Sequence, residues 1–537
     1  MNIKPKSSNV LNGDQALAWG ALAGGIKMVT SYPGSPSSNT VEILVGLAKK
    51  HDLYVEWSSN ERVALELAIG ASIAGRRALV CTKSVGLNVM IDPLMALNLT
   101  PINGGLVLLL GDDPGGYGSQ NDQDSRALAP LLEMPMLEPA SPGEAYTMMR
   151  DAFVDSEKYH IPVIIRVTRS FTQQKESMFI PDGASEIIEH GLVREPHRFV
   201  PVPKNVVQKH RALHQTLKSL SEWAHSTTYN PVQGVGEHGI IAAGFAYQKL
   251  MDLFAGTLPQ EVRLLKLGNL YPLPAQVISD FLLSCHEVLV LEENEPVLEI
   301  GIMALAQVSG CDVRIFGKQS GHVSQGGELF RWQIQKALKQ FLPSLLPARA
   351  YLEQDEADEM PSKESYCADC RYDEVLDHLD KAALSLGQKP ILVADPGCLV
   401  TVSHRIDAKY AIGSAIGVAS GMEKAGAPER AVALFGDSAF FHTTIPALCN
   451  AVHNCSNMVM VVLDNRSAIT SGNQPTLGVS RDVLGNEVPA LDIEKITRAC
   501  GVKNVYPVNL DDTDPSLTQT FAKALGNDEL NMVIVRI

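Results

Sequence analysis

Apolar residues in this chain fall into short β-branched runs bounded by glycine and proline, separated by stretches with helical periodicity. In the first part of the chain these runs predict strands at Lys27 to Thr30, Ala78 to Cys81, Gly105 to Gly111 and Pro162 to Val167, with a helix from Glu61 to Ala74. Strands that alternate with helices and carry few polar residues predict a parallel sheet covered on both faces. From about Asp182 to Glu237 the pattern weakens into sequence such as REPHRFVPVPKN, which suits an extended connector with local helix near Ala212 to Trp223.

A second α/β pattern follows, with strands at Gly239 to Gly244, Arg263 to Leu267 and Glu287 to Glu293 and a helix around Tyr247 to Phe254. An acidic, proline-containing strand run around Leu352 to Lys363 is expected to end it. The third pattern starts near Ser365 and runs through ILVAD, a small-residue helix from Ala408 to Ala425, AVALFGD, a helix near Ile445 to Val452, MVMVVLDN and a closing strand MVIVRI. Several cores are expected, because 537 residues exceed what one core can organise.

Within the third pattern, Gly436-Asp437-Ser438 ends one strand and Asp464-Asn465 ends the next. The carboxyl ends of neighbouring parallel strands are where open α/β sheets bind ligands. Mg²⁺ takes oxygen ligands and reaches a cofactor diphosphate through one or two side chains. Asp437 and the Asn465 amide oxygen supply such a pair, and the Ser467 carbonyl is close enough in sequence to be a third ligand. Taken singly, Asp437 would read as a helix cap and Asn465 as a turn residue. Glu61, opening its helix, would by itself read as a residue that compensates the helix dipole.

Composition narrows the classes. With 45% hydrophobic and 20% charged residues the chain is that of a folded globular protein. A net charge of −15 leaves no basic excess for phosphate contacts, which argues against a nucleic-acid partner. The start MNIKPKSSNV lacks the apolar core of a signal peptide, and no later stretch is apolar for long enough to span a bilayer, so a cytoplasmic protein without a membrane partner is expected. Nine cysteines without disulfide-framework spacing fit a reducing compartment.

The segments SYPGSPSS (31–38), EWSSNERVALELAIGAS (56–72), KSVGLNVMIDPLM (83–95), GDDPGGYGSQNDQDSR (111–126), YPLP (271–274), GMEKAG (421–426) and GDSAFFHTTIPALCNAV (436–452) together resemble the large subunits of indolepyruvate:ferredoxin oxidoreductases, in the 2-oxoacid:ferredoxin oxidoreductase superfamily. The resemblance runs through nearly the whole chain. It implies a multidomain α/β thiamine diphosphate-binding fold with parallel sheets covered by helices. The implied domains are a pyrimidine-binding domain at 1–185, a linker at 186–236, a transketolase C-terminal-like domain at 237–350, a linker with a C-x-x-C pair at 351–375 and a diphosphate-binding domain at 376–537. Because such cofactor sites lie between pyrimidine and diphosphate domains, often of different protomers, a homodimer within a heterotetramer is expected.

Residue by residue, the resemblance places Glu61 as the carboxylate that hydrogen-bonds the aminopyrimidine and so creates the thiamine ylide. Asp437, Asn465 and Ser467 become Mg²⁺ ligands, Gly436 and Ser438 part of the diphosphate motif, and Thr470, Ser471 and Gly472 the loop after the metal ligands. Ser35 falls on a hydroxyl position near the reacting carbon that is usually threonine. Gln120 and Asn121 fall on the substrate side, although GSQND also reads as a polar turn. The family's KHVG appears as Lys83-Ser84-Val85-Gly86, so one acid/base group is missing and the substrate range stays open.

Related enzymes hold a 4Fe-4S cluster with thiols at the positions of Cys367, Cys370 and Cys398 and a fourth cysteine past the last strand. Here the chain stops at MVIVRI, before that cysteine and the family's ferredoxin-like domain. Cys449, Cys455 and Cys500 read as ordinary structural thiols. Redox-silent thiols or another metal are the competing readings; a C-x-x-C is also half of a zinc site, but no second C-x-x-C or suitably spaced histidine pair completes one. The implied reaction is oxidative decarboxylation of an aryl or branched 2-oxo acid to an acyl-coenzyme A, with a small γ-type (β) subunit and with ferredoxin or a ferredoxin-like subunit as electron acceptor. A non-oxidative decarboxylase or carboligase and a non-catalytic paralogue are the alternatives.

Overall fold

The computed structural model describes residues 8–180, 191–345, 347–361, 370–513 and 516–537. They form two compact units: residues up to Val55 with Glu61–Lys363, and Glu56–Asn60 with Glu364–Ile537.

The first unit contains two large sheets. Six strands of the seven-stranded sheet lie wholly in this unit, in the order Asn269–Tyr271, Met136–Leu137, Val163–Thr168, Leu106–Asp112, Ala78–Lys83, Met28–Ser31. Its interior pairings are parallel, and Asn269–Tyr271 joins the edge antiparallel. Leu106–Asp112 and Val163–Thr168 are buried at every position, as a sheet covered on both faces requires. The five-stranded sheet has the order Arg314–Phe316, Glu287–Leu291, His238–Ala243, Val262–Leu267, Val232–Gln233, antiparallel only at the last pair. One apolar core joins the two sheets, since Leu87, Met90 and Leu108 pack in the same cluster as Ile241, Leu265 and Val290.

The segment read as a connector contains a longer helix than expected, Val206–Ala224. Leu213, Leu217, Leu220 and Ala224 recur at helical spacing, and the leucines bury against Ile161. The expected strand run around Leu352 to Lys363 is instead two helical turns, Glu353–Asp355 and Glu356–Glu359. There Asp355 accepts the Leu352 N–H, a local bond that favours a turn over a ladder, and Glu359 is drawn to Arg331, 28 residues back in the chain.

The second unit is a six-stranded parallel sheet, ordered Ala408–Lys409, Ile391–Ala394, Ala431–Gly436, Val459–Asp464, Asn531–Arg536, Asn504–Asn509. The helix expected from Ala408 to Ala425 is divided: Ala408–Lys409 is a strand, and the helix spans Ala415–Lys424. The cause is Asp395, whose carboxylate accepts the Gly413 and Ala415 N–H groups at 2.8 Å each and fixes the helix start there. Among the described residues no helix is long and apolar enough to cross a membrane.

Charged residues are buried between the two sheets of the first unit. Arg126 pairs with Asp124 at 2.6 Å and Glu292 at 2.8 Å, each side chain at most 2% exposed. Its Nη2 also donates to the carbonyls of Glu293 and Glu295. Burial pushes the Asp124 carboxyl up, but Arg126 outweighs it and holds the group at about 2. Arg166 joins Asp112 and Glu138, and Lys249 joins Glu293 and Glu328. Removing one partner of a buried pair leaves an uncompensated charge. Arg126→Met is therefore expected to destabilise the first unit by about 3–5 kcal/mol, read as a lower denaturant midpoint for that unit's transition.

Candidate functional site

In the first unit, Glu61 is the opening residue of the helix Glu61–Ile73 and is buried. It packs against the start of the helix Ser84–Leu97, where a Cβ on Gly86 would lie 2.6 Å from Glu61 Oε1 and 2.3 Å from Thr82 Oγ1. Only glycine fits there. Lys83 precedes this helix with its side-chain stem under Gly34. Burial pushes the Lys83 amine below its ordinary value, the Glu61 and Asp113 carboxylates pull it back up, and Arg169 pushes it down again. Asp113 accepts Arg169 Nε at 2.9 Å and the Gly118 N–H at 2.7 Å. Glu61, Lys83, Asp113 and Arg169 thus form one charged cluster at the carboxyl edge of the seven-stranded sheet.

Ser35 is half-buried in the loop after Met28–Ser31, a loop closed by Ser37 and Ser38 on the backbone of Gly34. Ser84 is buried in the first turn of its helix. Gln120 and Asn121 are exposed on the loop after Leu106–Asp112. Gln123 makes the tie from this loop to the Ser84 helix, donating to the Ser84 carbonyl at 3.1 Å and exchanging bonds with the Asn88 amide. Sequence reasoning missed Gln123, which lies in the same polar run as the pair it selected.

In the second unit, Asp437 follows the strand Ala431–Gly436 and is 2% exposed. Its Oδ2 accepts Thr476 Oγ1 at 2.8 Å. Burial raises its carboxyl to about 7, the Asp464 charge adds to the rise, and the Thr476 and Ser438 hydrogen bonds oppose it. Gly436 faces open space, because a Cβ there would meet only the Leu463 carbonyl, 4.0 Å away.

Asn465 follows the adjacent strand Val459–Asp464; its Oδ1 accepts the Ser467 N–H at 3.1 Å and its Nδ2 donates to Tyr372 at 3.2 Å. Ser467–Ala468 pairs antiparallel with Gln474–Pro475, and Thr470 and Ser471 lie in the tight turn Ile469–Ser471 between them. Gly472 ends the turn at φ +121°, where a side chain would also strike Gln474. This ladder brings Thr476 back to Asp437. Thr476 was not selected from the sequence, which carries no local signal for a contact 39 residues away.

Cys370 and Cys398 are half-buried against the same core, and Thr401 touches both residues: its Oγ1 lies 3.5 Å from Cys370 Sγ and donates to the Cys398 carbonyl at 2.8 Å. Cys367 lies outside the described residues.

The family model for pyruvate flavodoxin/ferredoxin oxidoreductase, thiamine diphosphate-binding, matches residues 19–234. That for the thiamine pyrophosphate enzyme C-terminal TPP-binding domain matches residues 403–535. The indolepyruvate oxidoreductase subunit IorA of Methanothermobacter marburgensis is 35% identical over 98% of this chain and 86% of its own length. IorA of Pyrococcus abyssi is 34% identical over 99% of this chain and 86% of its own. The 2-oxoglutarate synthase subunit KorA of Archaeoglobus fulgidus is 25% identical over 57% of this chain and 94% of its own. Among solved structures, the 2-oxoglutarate:ferredoxin oxidoreductase from Magnetococcus marinus, with 2-oxoglutarate, coenzyme A and succinyl-CoA bound, is similar in fold: TM-score 0.50 at 18% identity, covering 63% of this chain and 66% of that one.

The raised Asp437 carboxyl has a consequence for stability. Between its ordinary value of 3.8 and about 7 the folded state keeps a proton that the unfolded chain has released. Stability contributed by this group therefore falls as pH rises through that window and levels off above it. Without cofactor, the melting temperature of the wild type relative to Asp437→Asn is expected to decline from about pH 5 to pH 7. A constant difference across that range would contradict the assignment.

Proposed function

The chain belongs to the family of IorA indolepyruvate oxidoreductase subunits, and we propose that it is the thiamine diphosphate-binding large subunit of an enzyme that oxidatively decarboxylates a 2-oxo acid. The proposed substrate is an aryl or branched 2-oxo acid, the proposed acyl acceptor coenzyme A, and the proposed electron acceptor ferredoxin or a ferredoxin-like subunit, with a small γ-type partner. The observation that carries this reading is Asp437 and Asn465 at the carboxyl ends of adjacent parallel strands, inside the segment matched by a thiamine pyrophosphate-binding family.

The residues of the second unit suit a diphosphate and its metal. Asp437 is a buried carboxylate that holds its proton unusually tightly, so a divalent cation would supply the positive charge the site lacks. In this proposal Asp437, the Asn465 amide oxygen and the Ser467 carbonyl hold Mg²⁺, and Thr476 aims Asp437. The open space over Gly436 seats the diphosphate, with Ser438, Thr470, Ser471 and Gly472 around it.

Bound thiamine diphosphate supplies a nucleophilic carbon and an electron sink for the loss of CO₂. Glu61 would hold and transfer the proton at the aminopyrimidine, in the buried position that Gly86 makes room for. Ser35 would donate its hydroxyl near the reacting carbon, while Gln120 and Asn121 would meet the substrate from their exposed loop. Lys83 and Arg169 place positive charge beside Glu61 and Asp113, which suits the carboxylate of a 2-oxo acid. We further propose that Cys367, Cys370 and Cys398 ligate an iron–sulfur cluster, supported by Cys370 and Cys398 packing against one core and both touching Thr401, Cys370 through its thiol and Cys398 through its carbonyl.

Glu61→Gln is expected to retain thiamine diphosphate affinity but to lose at least about a hundredfold in turnover, as removal of an acid/base group does. Asp437→Ala should lose cofactor affinity first, measured by equilibrium dialysis at fixed Mg²⁺. Full activity in both variants would remove the site assignment. For the cluster, iron and acid-labile sulfide in the anaerobically purified complex are expected to fall in Cys398→Ala, and unchanged iron would exclude that thiol as a ligand.

A further inference from the structure

The helix Val206–Ala224 buries Leu213, Leu217 and Leu220 and turns His210 and His214 outward, one helical turn apart. Their rings lie 4.3 Å apart between centroids. Glu133 reaches them from a distant part of the chain: it follows the short helix Leu128–Leu132, in the left-handed region at φ 52°. Its carboxylate faces both rings, with Oε2 at 2.7 Å from His210 Nε2 and Oε1 at 2.7 Å from His214 Nε2. One ligand atom from each residue lies within 4.8 Å of the others, and no other group of three or more His, Cys, Asp or Glu side chains among the described residues meets that condition.

We propose that Glu133, His210 and His214 bind a divalent transition cation, zinc in the first place, which clips the helix Val206–Ala224 to the turn after Leu132. Two imidazoles and one carboxylate are the donor types that zinc and its first-row neighbours prefer over the oxygen-only sets of Mg²⁺ and Ca²⁺. Histidines at i and i+4 present both Nε2 atoms to one side of the helix, and the carboxylate supplies the negative charge that two neutral rings lack. Glu133 is only 18% exposed, so its carboxylate is held by its surroundings, while the histidines are open to solvent and leave room for water to complete the coordination. None of these residues belongs to the thiamine site, and the proposal stands or falls independently of the reaction assigned to that site.

The test uses the full chain, stripped with a chelator and kept in excess Mg²⁺ with thiols reduced. Zinc uptake is measured by equilibrium dialysis for the wild type, for His210→Gln, for His214→Gln and for the double variant. Both histidines are exposed and glutamine is a good helix former, so zinc-free melting curves should match. The wild type is expected to bind one more equivalent than the double variant, and each single variant to lose at least about tenfold in affinity for that equivalent, because imidazole ligands carry the binding. Zinc should raise the melting temperature of the wild type more than that of the double variant. With cobalt in place of zinc, the extra equivalent should lack a thiolate charge-transfer band, which separates this site from the cysteines. Equal stoichiometry and affinity in the wild type and the double variant would overturn the proposal, as would a difference confined to millimolar zinc.

Discussion

A guanidinium cut off from water must have all its charge and its donors answered by protein, and the first unit is organised around meeting that demand at Arg126. Asp124 and Glu292 neutralise it through different guanidinium nitrogens, one from the loop of the seven-stranded sheet and one from the end of a strand in the five-stranded sheet. The same loop is held at its other end, where Asp112 accepts Arg166 and the Ser125 N–H. Between these anchors the chain places Asp113 against Arg169 and passes Gln123 to the Ser84 helix. The polar loop that carries Asp113 and Gln123 is therefore held at both ends by buried ion pairs.

The second unit meets a related problem with three aspartates at one edge. Asp395, Asp437 and Asp464 stand at the carboxyl ends of three neighbouring strands. Asp395 is answered by backbone N–H groups at the start of a helix, and Asp464 has Arg466 and Arg536 nearby. Asp437 has a threonine and amides, and among the described residues no cation pairs with it. In the proposed reading, that missing positive charge is the one a bound divalent cation would bring.

How much of this was legible depended on the range of the interaction. Buried parallel strands such as Leu106–Asp112 and Val459–Asp464 announce themselves as unbroken apolar runs, because both faces are covered. The strand-end places of Asp437 and Asn465 and the helix-start place of Glu61 were legible locally, whereas the roles proposed for them came from the resemblance. The division of the Ala408 to Ala425 segment depends on the Asp395 carboxylate, and the identity of the strand run near Leu352 on Glu359 reaching Arg331. Neither bond leaves a trace in local periodicity. Thr476, Gln123 and the convergence of Glu133 on His210 and His214 are contacts across tens of residues. No histidine pair was expected to complete a zinc site, yet His210 and His214 stand four apart on one helix, and the carboxylate that gives this spacing meaning lies 77 residues away.

The short strand Asn269–Tyr271 belongs by sequence to the later part of the first unit, yet it pairs with Met136–Leu137 and closes one side of the seven-stranded sheet. A protein cut anywhere in the connecting segment would leave the earlier piece with an unpaired edge and half of a shared apolar core exposed to solvent. The first unit is thus indivisible as a building block: dissection, permutation or transplantation into another chain must carry both sheets together.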